Sequence, residues 1–163
     1  MSQIRPSPII LRRDLMKVAI GCDHQAQVIE LKDALIEVLK EKKIEFKDFG
    51  VFKTDPVDYP DIAKVVTREV QNGSFDRGIL VCGTGIGMAI CANKFDGIRA
   101  AVCHDLYSTQ RSILSNNCQV MTMGALVIGR NTAQELLKVW LELEFKGGPS
   151  AKKVEKIMEL EKL

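Results

Sequence analysis

The residues best suited to chemistry in this sequence are a cysteine and the glycine-rich turn that follows it. Cys82 precedes Gly-Thr-Gly-Ile-Gly at 83–87, and the apolar run over 78–82 predicts a buried strand. The turn would open a helix, whose first backbone N–H groups have no partner within the helix and can bind an anion. A thiol beside such donors can be held partly as the thiolate. The stretch therefore places a base beside an oxyanion hole, which suits removal of a proton next to a carbonyl group.

The glycine turn taken alone is weak evidence of function. Its spacing is GxGxG rather than the GxGxxG of dinucleotide-binding turns, and no Gly-Lys-Ser/Thr makes it a nucleotide P-loop. The stretch becomes specific because Cys82 precedes the turn and Ala-Asn-Lys follows it at 92–94. Free cysteine is also a common buried apolar residue, and we interpret three other cysteines in that way: Cys91, Cys103 and Cys118.

A second polar cluster, Cys22-Asp23-His24, follows the first predicted strand. The position of His24 beside Asp23 at a strand end favours a functional role over that of a satisfied polar residue. We expect no metal here, because the side chains of neighbouring residues diverge and the chain has only 2 histidines. The other histidine, His104, also ends a strand, and it is either a second acid or base or a surface residue.

Strands and helices alternate along the chain, which predicts a parallel sheet with helices on both faces. The predicted strands are 17–21, 44–49, 78–82, 98–103 and a fifth over 119–128 that runs on or kinks at Gly124. The predicted helices are 25–42, 58–72, 88–95, 106–115, one capped by Asn131 with Gln134 as its box partner, and 150–163. Ligands of such a sheet bind beyond the carboxyl ends of the strands, where 22–24, 82–87 and 104–105 lie.

The length of 163 residues and the hydrophobic content of 46% suit a single domain, which we place at 16–163. Residues 1–15 lack the apolar core and cleavage site of a secretory signal, so we interpret them as a flexible extension, with a transit segment as the alternative. The last helix, 150–163, has an apolar stripe too narrow for a core element of its own subunit. We expect this helix to pack on a partner subunit.

The charge pattern points to a small-molecule ligand. The net charge is +2, with no basic stripe for nucleic acid and no cationic amphipathic helix or apolar span for a membrane. The 5 cysteines are odd in number and show no CxxC spacing, which favours a reducing, cytoplasmic compartment.

Together these residues resemble one family, the type B ribose-5-phosphate isomerases with the galactose-6-phosphate isomerase subunits. The resemblance covers 16–163 and rests on Gly-Cys-Asp-His at 21–24, Asp-Tyr-Pro at 58–60, the stretch from Ile79 through the glycine turn to Asn93-Lys94, and Gly-Ile-Arg-Ala at 97–100. It implies cofactor-free isomerisation between aldose and ketose sugar phosphates. It also implies a Rossmann-like three-layer α/β/α sandwich with a five-stranded parallel sheet. The assembly would be a homodimer or dimer of dimers with active sites between subunits.

The resemblance also implies a role for each matching site residue. Cys82 would be the base, and the Thr84 hydroxyl would help to move the proton between the two oxygens. The backbone of Gly83, Gly85, Ile86 and Gly87 would form the anion hole for the enediolate. Asp23 and His24 would contact the sugar and the phosphate. Tyr59 would line the wall of the pocket, and Asn116 would extend into the active site of the neighbouring subunit.

Four positions depart from the family pattern. Ser115 stands where a histidine is assigned to ring opening, and Leu126, Pro149 and Lys153 stand where arginines clamp the phosphate. Because lysine supplies charge without the bidentate fork of arginine, we expect Arg111 and Lys153 together to bind the phosphate.

Three functions remain open at this point. The first is an isomerase, with ribose 5-phosphate as the leading substrate and a four-carbon erythrulose phosphate or galactose 6-phosphate as alternatives. The second is a non-catalytic subunit of a hetero-oligomer, which would have no need to retain Cys82. The third is thiol redox chemistry, which needs a resolving cysteine close to Cys82, whereas Cys91 should lie inside the helix.

Overall fold

Five parallel strands form one sheet in the computed structural model, which describes residues 15–163. The strands are β1 (Lys17–Cys22), β2 (Glu45–Asp48), β3 (Arg77–Cys82), β4 (Ala100–Val102) and β5 (Val120–Gly124). The helices are α1 (Ala26–Glu41), α2 (Tyr59–Gln71), α3 (Ile86–Ala92), α4 (Leu106–Leu114), α5 (Arg130–Glu142) and α6 (Ala151–Glu159). The strand order is β2-β1-β3-β5-β4. Apart from Leu15, the predicted extension over 1–15 lies outside the described residues.

Both faces of the sheet are covered by helices. Ile20, Ile79 and Met121 face α1, α4 and α5, whereas Ala19, Leu80 and Val120 face α2 and α3. The strands are apolar on both faces because each face is buried. The predicted α/β sandwich with its five-stranded parallel sheet is therefore confirmed.

The strand order opens a crevice between β1 and β3. The connection that leaves β1 runs through α1 on one face, and the connection that leaves β3 runs through α3 on the other face. Neighbouring strands whose connections leave on opposite faces form the usual ligand-binding crevice at their carboxyl ends. Asp23 and Cys82 both lie at this crevice.

Two details of the predicted elements are wrong. The fifth strand ends at Gly124 instead of continuing to Ile128, because the Leu126 N–H donates to Gly83 O of the glycine turn and the N–H groups of Val127 and Ile128 donate back to Gly124 O. Helix α5 begins at Arg130 with Gly129 as its N-cap, so Asn131 lies inside its first turn and is not the cap. The side chain of Gln134 donates instead to Ala34 O at 2.9 Å and to Glu37 Oε2 at 3.2 Å.

Helix α6 packs against the loop before β4. Its Val154 is buried, and the Glu161 carboxylate that follows it accepts the Gly97 N–H at 2.9 and 3.0 Å. Ile157 and Leu160 remain exposed, so the packing of this helix on a partner subunit stays a prediction. Within residues 15–163, no helix combines the length and apolar character needed to cross a membrane.

A buried lysine holds the loop after β2 across the end of β1. The Lys32 side chain is 1% exposed, and its Nζ donates to Asp48 Oδ2 at 2.7 Å and to Val51 O at 2.8 Å. The Cys22 N–H donates to Gly50 O at 2.7 Å in the same loop. Burial raises the pKa of Cys22 to about 11, although Lys32 opposes this, so Cys22 is a neutral thiol beside the ion pair.

Replacing this lysine should destabilise the fold. Lys32→Met removes one partner of a buried ion pair and leaves Asp48 uncompensated, so we expect the free energy of unfolding to fall by about 3 kcal/mol. Urea denaturation measures this change. The matched control is Lys138→Met, because Lys138 pairs with Glu135 at 3.0 Å in a more exposed setting and an exposed ion pair contributes little to stability. Equal effects of the two substitutions would show that the Lys32 pair does not hold the loop.

Candidate active site

Cys82 lies at the end of the central strand β3, with its sulfur facing the glycine turn. The residue is 6% exposed, and its Sγ accepts the backbone N–H of Gly85 at 3.1 Å. Gly85 has a positive φ of 76°, which a residue with a side chain rarely adopts. This conformation folds the chain back so that a backbone donor meets the thiol, as the sequence predicts.

The carbonyl groups of the turn are bound to β5 and the residues after it. Ala125 N–H donates to Cys82 O at 2.9 Å, Leu126 N–H to Gly83 O at 3.0 Å, and Thr122 Oγ1 to Gly85 O at 2.8 Å. In a planar trans peptide the N–H group points away from the carbonyl of the preceding residue. The N–H groups that follow the first two carbonyls, those of Gly83 and Thr84, therefore point away from β5.

Several donors of the turn are unpaired. Among residues 15–163, the N–H groups of Gly83, Thr84, Gly87 and Met88 have no hydrogen-bond acceptor. The exposed Thr84 side chain accepts the Ile86 N–H through Oγ1 at 3.3 Å, which leaves its own proton free to donate. The turn thus presents backbone donors and a hydroxyl beside the Cys82 sulfur.

Tyr59 covers the turn from the side of α2. A Cβ atom on Gly87 would lie 2.7 Å from the Tyr59 ring and hydroxyl, so the ring rests directly on this glycine. Tyr59 is the first residue of α2 and remains partly exposed. Tyr59 therefore lies against the glycine turn, and its role in the pocket wall stays a prediction.

Asp23 and His24 complete the crevice at the end of β1. The Asp23 N–H donates to Val81 O at 2.9 Å, which places this residue beside β3. The Asp23 carboxylate accepts the His24 N–H at 2.7 Å and lies 2.8 Å from His24 Nδ1. Nδ1 also lies 3.1 Å from Val57 O, two residues before Tyr59. With Nδ1 engaged in this way, Nε2 is the imidazole nitrogen that remains for a ligand.

Arg111 and Asn116 lie together, but away from Cys82. Both line a cavity of about 410 Å³ beside the edge strand β4, and no residue of the glycine turn lines it. Arg111 stacks on Tyr107 at 5.9 Å, and its buried Nε has no acceptor among the described residues. Lys153 is exposed on α6, one helical turn before Ile157, which lines the same cavity. Within one chain, the predicted phosphate ligands and the predicted base thus occupy different places.

Some residues that shape the site carry no clear signal in the sequence. His104 accepts the Gly124 N–H through Nε2 at 2.8 Å and is half-buried, so it is not free at the surface. Asn93 pairs with the backbone of Ala100 through both atoms of its amide and joins α3 to β4. Thr122 looks like any other residue of a buried strand. Of these residues, His104 is the one that the sequence marks as polar at the end of a predicted strand, together with Asp105.

The remaining cysteines do not form a second reactive centre. Burial raises the pKa of Cys91, Cys103 and Cys118, with Cys118 reaching about 12. A thiol that stays protonated at neutral pH is a poor nucleophile. Within residues 15–163, no group of three or more His, Cys, Asp or Glu side chains could hold a metal ion.

An α/β sheet with a thiol and unpaired backbone donors at its switch point has the groups that proton transfer next to a carbonyl requires. The model of the ribose/galactose isomerase family matches residues 18–157. The chain therefore belongs to the ribose/galactose isomerase family, as the resemblance of its motifs predicts.

Known relatives agree with this assignment. A Listeria innocua protein named ribose-5-P isomerase B is 56% identical over 146 residues, which cover 90% of this chain and 97% of the relative. A D-erythrulose-4-phosphate isomerase of Pectobacterium atrosepticum is 48% identical over 145 residues, which cover 88% and 93%. The solved structure of Clostridium thermocellum ribose-5-phosphate isomerase B has a TM-score of 0.86 and 42% identity, with coverage of 90% of this chain and 98% of that one.

The contact between β5 and the turn should tolerate no side chain at Gly124. A Cβ atom there would lie 2.5 Å from Thr84 Cα and 2.7 Å from Thr84 O, so Gly124→Ala must displace the turn. We expect kcat to fall about 100-fold, the usual effect of moving catalytic groups by about 1 Å. Gly129→Ala is the control, because a Cβ at Gly129 meets nothing within 4 Å. Steady-state kinetics of both variants measure this effect, and circular dichroism confirms that they fold. If Gly124→Ala were as active as Gly129→Ala, the close contact would not constrain the turn.

Proposed function

We propose that this chain interconverts an aldose phosphate and the matching ketose phosphate, with ribose 5-phosphate and ribulose 5-phosphate as the leading pair. The observation that carries this proposal is the position of Cys82 Sγ beside the unpaired donors of the glycine turn. A base and an oxyanion hole on one short segment suit an enediolate intermediate. The names of the Listeria and Clostridium relatives support the five-carbon substrate.

The proposed reaction moves one proton from carbon to Cys82 and back to the neighbouring carbon. Cys82, as the thiolate, removes the proton from C2 of the open-chain aldose, and the electron pair moves onto the carbonyl oxygen at C1. The resulting enediolate is bound by the N–H groups of Gly83 and Thr84 and by those at the start of α3, Gly87 among them. The Thr84 hydroxyl moves a proton between O1 and O2, and Cys82 then returns its proton to C1. No atom is gained or lost.

Asp23 and His24 are proposed to bind the sugar end of the substrate. The Asp23 carboxylate and Val57 O engage His24 Nδ1, which leaves Nε2 for the substrate. Gly85 and Ile86 shape the turn, and Tyr59 closes its side.

The phosphate is proposed to be bound across a subunit interface. The cavity that contains Arg111 and Asn116 lies apart from Cys82 in one chain, so each subunit would supply these residues to its partner's base. Ile86 and Ile90, one turn apart on α3 and each 56% exposed, support an apolar contact next to the glycine turn. Helix α6, with Lys153, would lie along the partner. We therefore propose a homodimer, or a dimer of such dimers, and a cytoplasmic location in keeping with five free cysteines.

A four-carbon substrate is the second candidate. An aldotetrose with phosphate on its last oxygen cannot close a five-membered ring, so it needs no acid for ring opening. Ser115, rather than a histidine, ends α4 near Asn116, and the Pectobacterium relative is named for such a substrate. An NMR assay of the purified protein with four-, five- and six-carbon sugar phosphates decides between them. Turnover of none would favour a non-catalytic subunit.

Removing the proposed base should abolish turnover without loss of the fold. We expect Cys82→Ala to lower kcat by about 100-fold or more and to leave sugar binding largely intact, because a general base contributes to the rate and not to ground-state affinity. Cys82→Ser should be nearly as poor, since a hydroxyl is a much weaker base. Cys91→Ala is the control and should stay active. If either Cys82 variant kept more than about a tenth of the wild-type rate, Cys82 would be structural.

Removing the proposed phosphate ligand should weaken only phosphorylated substrates. Arg111→Ala should raise KM for the sugar phosphate by about 10-fold to 100-fold, as expected for loss of a hydrogen bond to a charged group. Residual turnover of the same sugar without phosphate should change little. Arg68→Ala, which removes the same charge from the exposed face of α2, is the control. Equal losses on both substrates would assign Arg111 to the interface, and no loss on either would indicate a substrate without phosphate.

A further inference from the structure

The last residue of β5 is held by a side chain from the segment that follows the neighbouring strand β4. Cys103 N–H donates to Thr122 O at 3.0 Å, which is the last backbone bond between the β4 side and β5. One residue later, His104 Nε2 accepts the N–H of Gly124 at 2.8 Å. This side-chain bond extends the ladder by one step and fixes Gly124.

Gly124 is also the residue of β5 that touches Thr84. No Cβ atom fits between them, since it would lie within 2.7 Å of three backbone atoms of Thr84. The region after β3 is otherwise held by bonds to the carbonyls of Cys82, Gly83 and Gly85. Thr84 is the turn residue that β5 fixes by contact alone, so a shift of Gly124 must move Thr84.

We propose that His104 is a positioning residue that keeps Thr84 in its catalytic position through Gly124, an inference that rests on the function proposed for Thr84. Nε2 can accept this bond only in the neutral imidazole with its proton on Nδ1. In the imidazolium ion both nitrogens carry protons, so two N–H groups would face each other at Gly124. The strand end would then move and carry Thr84 with it.

The surroundings of His104 favour the neutral form. Burial lowers its pKa, and Asp105, the one charged group that acts on it among the described residues, opposes this. Asp105 accepts the Ser108 N–H at 2.8 Å as the cap of α4, and Gly124 and Thr84 carry no charged side chain. Because the folded-state pKa lies below the ordinary value of about 6.5, the neutral form contributes stability above that value. The contribution is lost as the pH falls through the folded-state pKa.

NMR of the ¹⁵N-labelled full-length protein tests the linkage without reference to turnover. As the pH is lowered from about 8 to about 5, the amide signals of Gly124 and Thr84 should shift with one common midpoint. His104→Gln keeps an acceptor near the position of Nε2 but does not titrate, so this midpoint should vanish for both amides. Movement of Gly124 without Thr84, or of neither, would overturn the proposal.

Steady-state kinetics with the preferred sugar phosphate then test whether His104 acts on turnover through Thr84. His104→Leu removes the acceptor and should lower kcat about 10-fold to 100-fold with little change in KM, whereas His104→Gln should stay within about threefold of wild type. In a Thr84→Ala background, His104→Leu should add less than about threefold, because both changes act on one group. If the two substitutions lowered kcat by factors that multiply, the proposal would be wrong.

If His104→Leu does not fold, the amide titration of the wild type and of His104→Gln decides. If the wild type turns over no sugar phosphate, the proposed function is wrong. The same titration still shows whether His104 positions Thr84 through Gly124.

Discussion

The structure of the candidate site depends on the bonds between the carbonyl groups of the glycine turn and the end of β5. Cys82 O and Gly83 O accept N–H groups from Ala125 and Leu126, and these bonds set the planes of the peptides that follow. In each plane the N–H group points opposite to the bound carbonyl. Donors fixed in this way need no reorganisation when charge develops on a substrate, and such preorganised donors are the main source of electrostatic catalysis. Backbone donors thus hold two carbonyl groups of this segment and the Thr122 hydroxyl holds a third, Gly85 O, which fixes the donors of the proposed oxyanion hole.

The strand order makes these bonds possible. β5 lies between β3 and β4, so the segment after β3 meets the end of a strand that comes about 40 residues later. The early part of the sheet places Asp23 beside β3 at the crevice. The two neighbours of β3 thus have different roles: β1 carries the proposed substrate ligands, and β5 fixes the conformation of the turn.

Much of this arrangement could be predicted from the sequence, because hydrophobic periodicity and glycine positions are local properties. The alternation of strands and helices, the turn after Cys82 and the polar ends of β1 and β4 all follow from residues close together in the chain. The strand order, the contact of Gly124 with Thr84 and the bond of Thr122 to Gly85 could not be predicted, because each joins distant segments. The burial of Lys32 is a similar case. A lysine on a helix usually faces water, and only the loop after β2 explains why this one does not.

The cavity beside β4 contains a donor that the described part of the chain leaves unsatisfied. Arg111 Nε is buried there without an acceptor in the described part of the chain, and an unsatisfied buried donor of a charged group costs free energy. The neighbouring Arg99 is different, since it donates to Asn116 O and to Asn117 O at 3.0 Å. Of the two guanidinium groups that line the cavity, one is therefore structural and the other still lacks an acceptor for one of its donors. A bound anion or a carbonyl group from a partner subunit would satisfy Arg111, and in either case the donor is satisfied only when the cavity is occupied. Arg111 is therefore the guanidinium group of this cavity that has a donor left for the proposed phosphate.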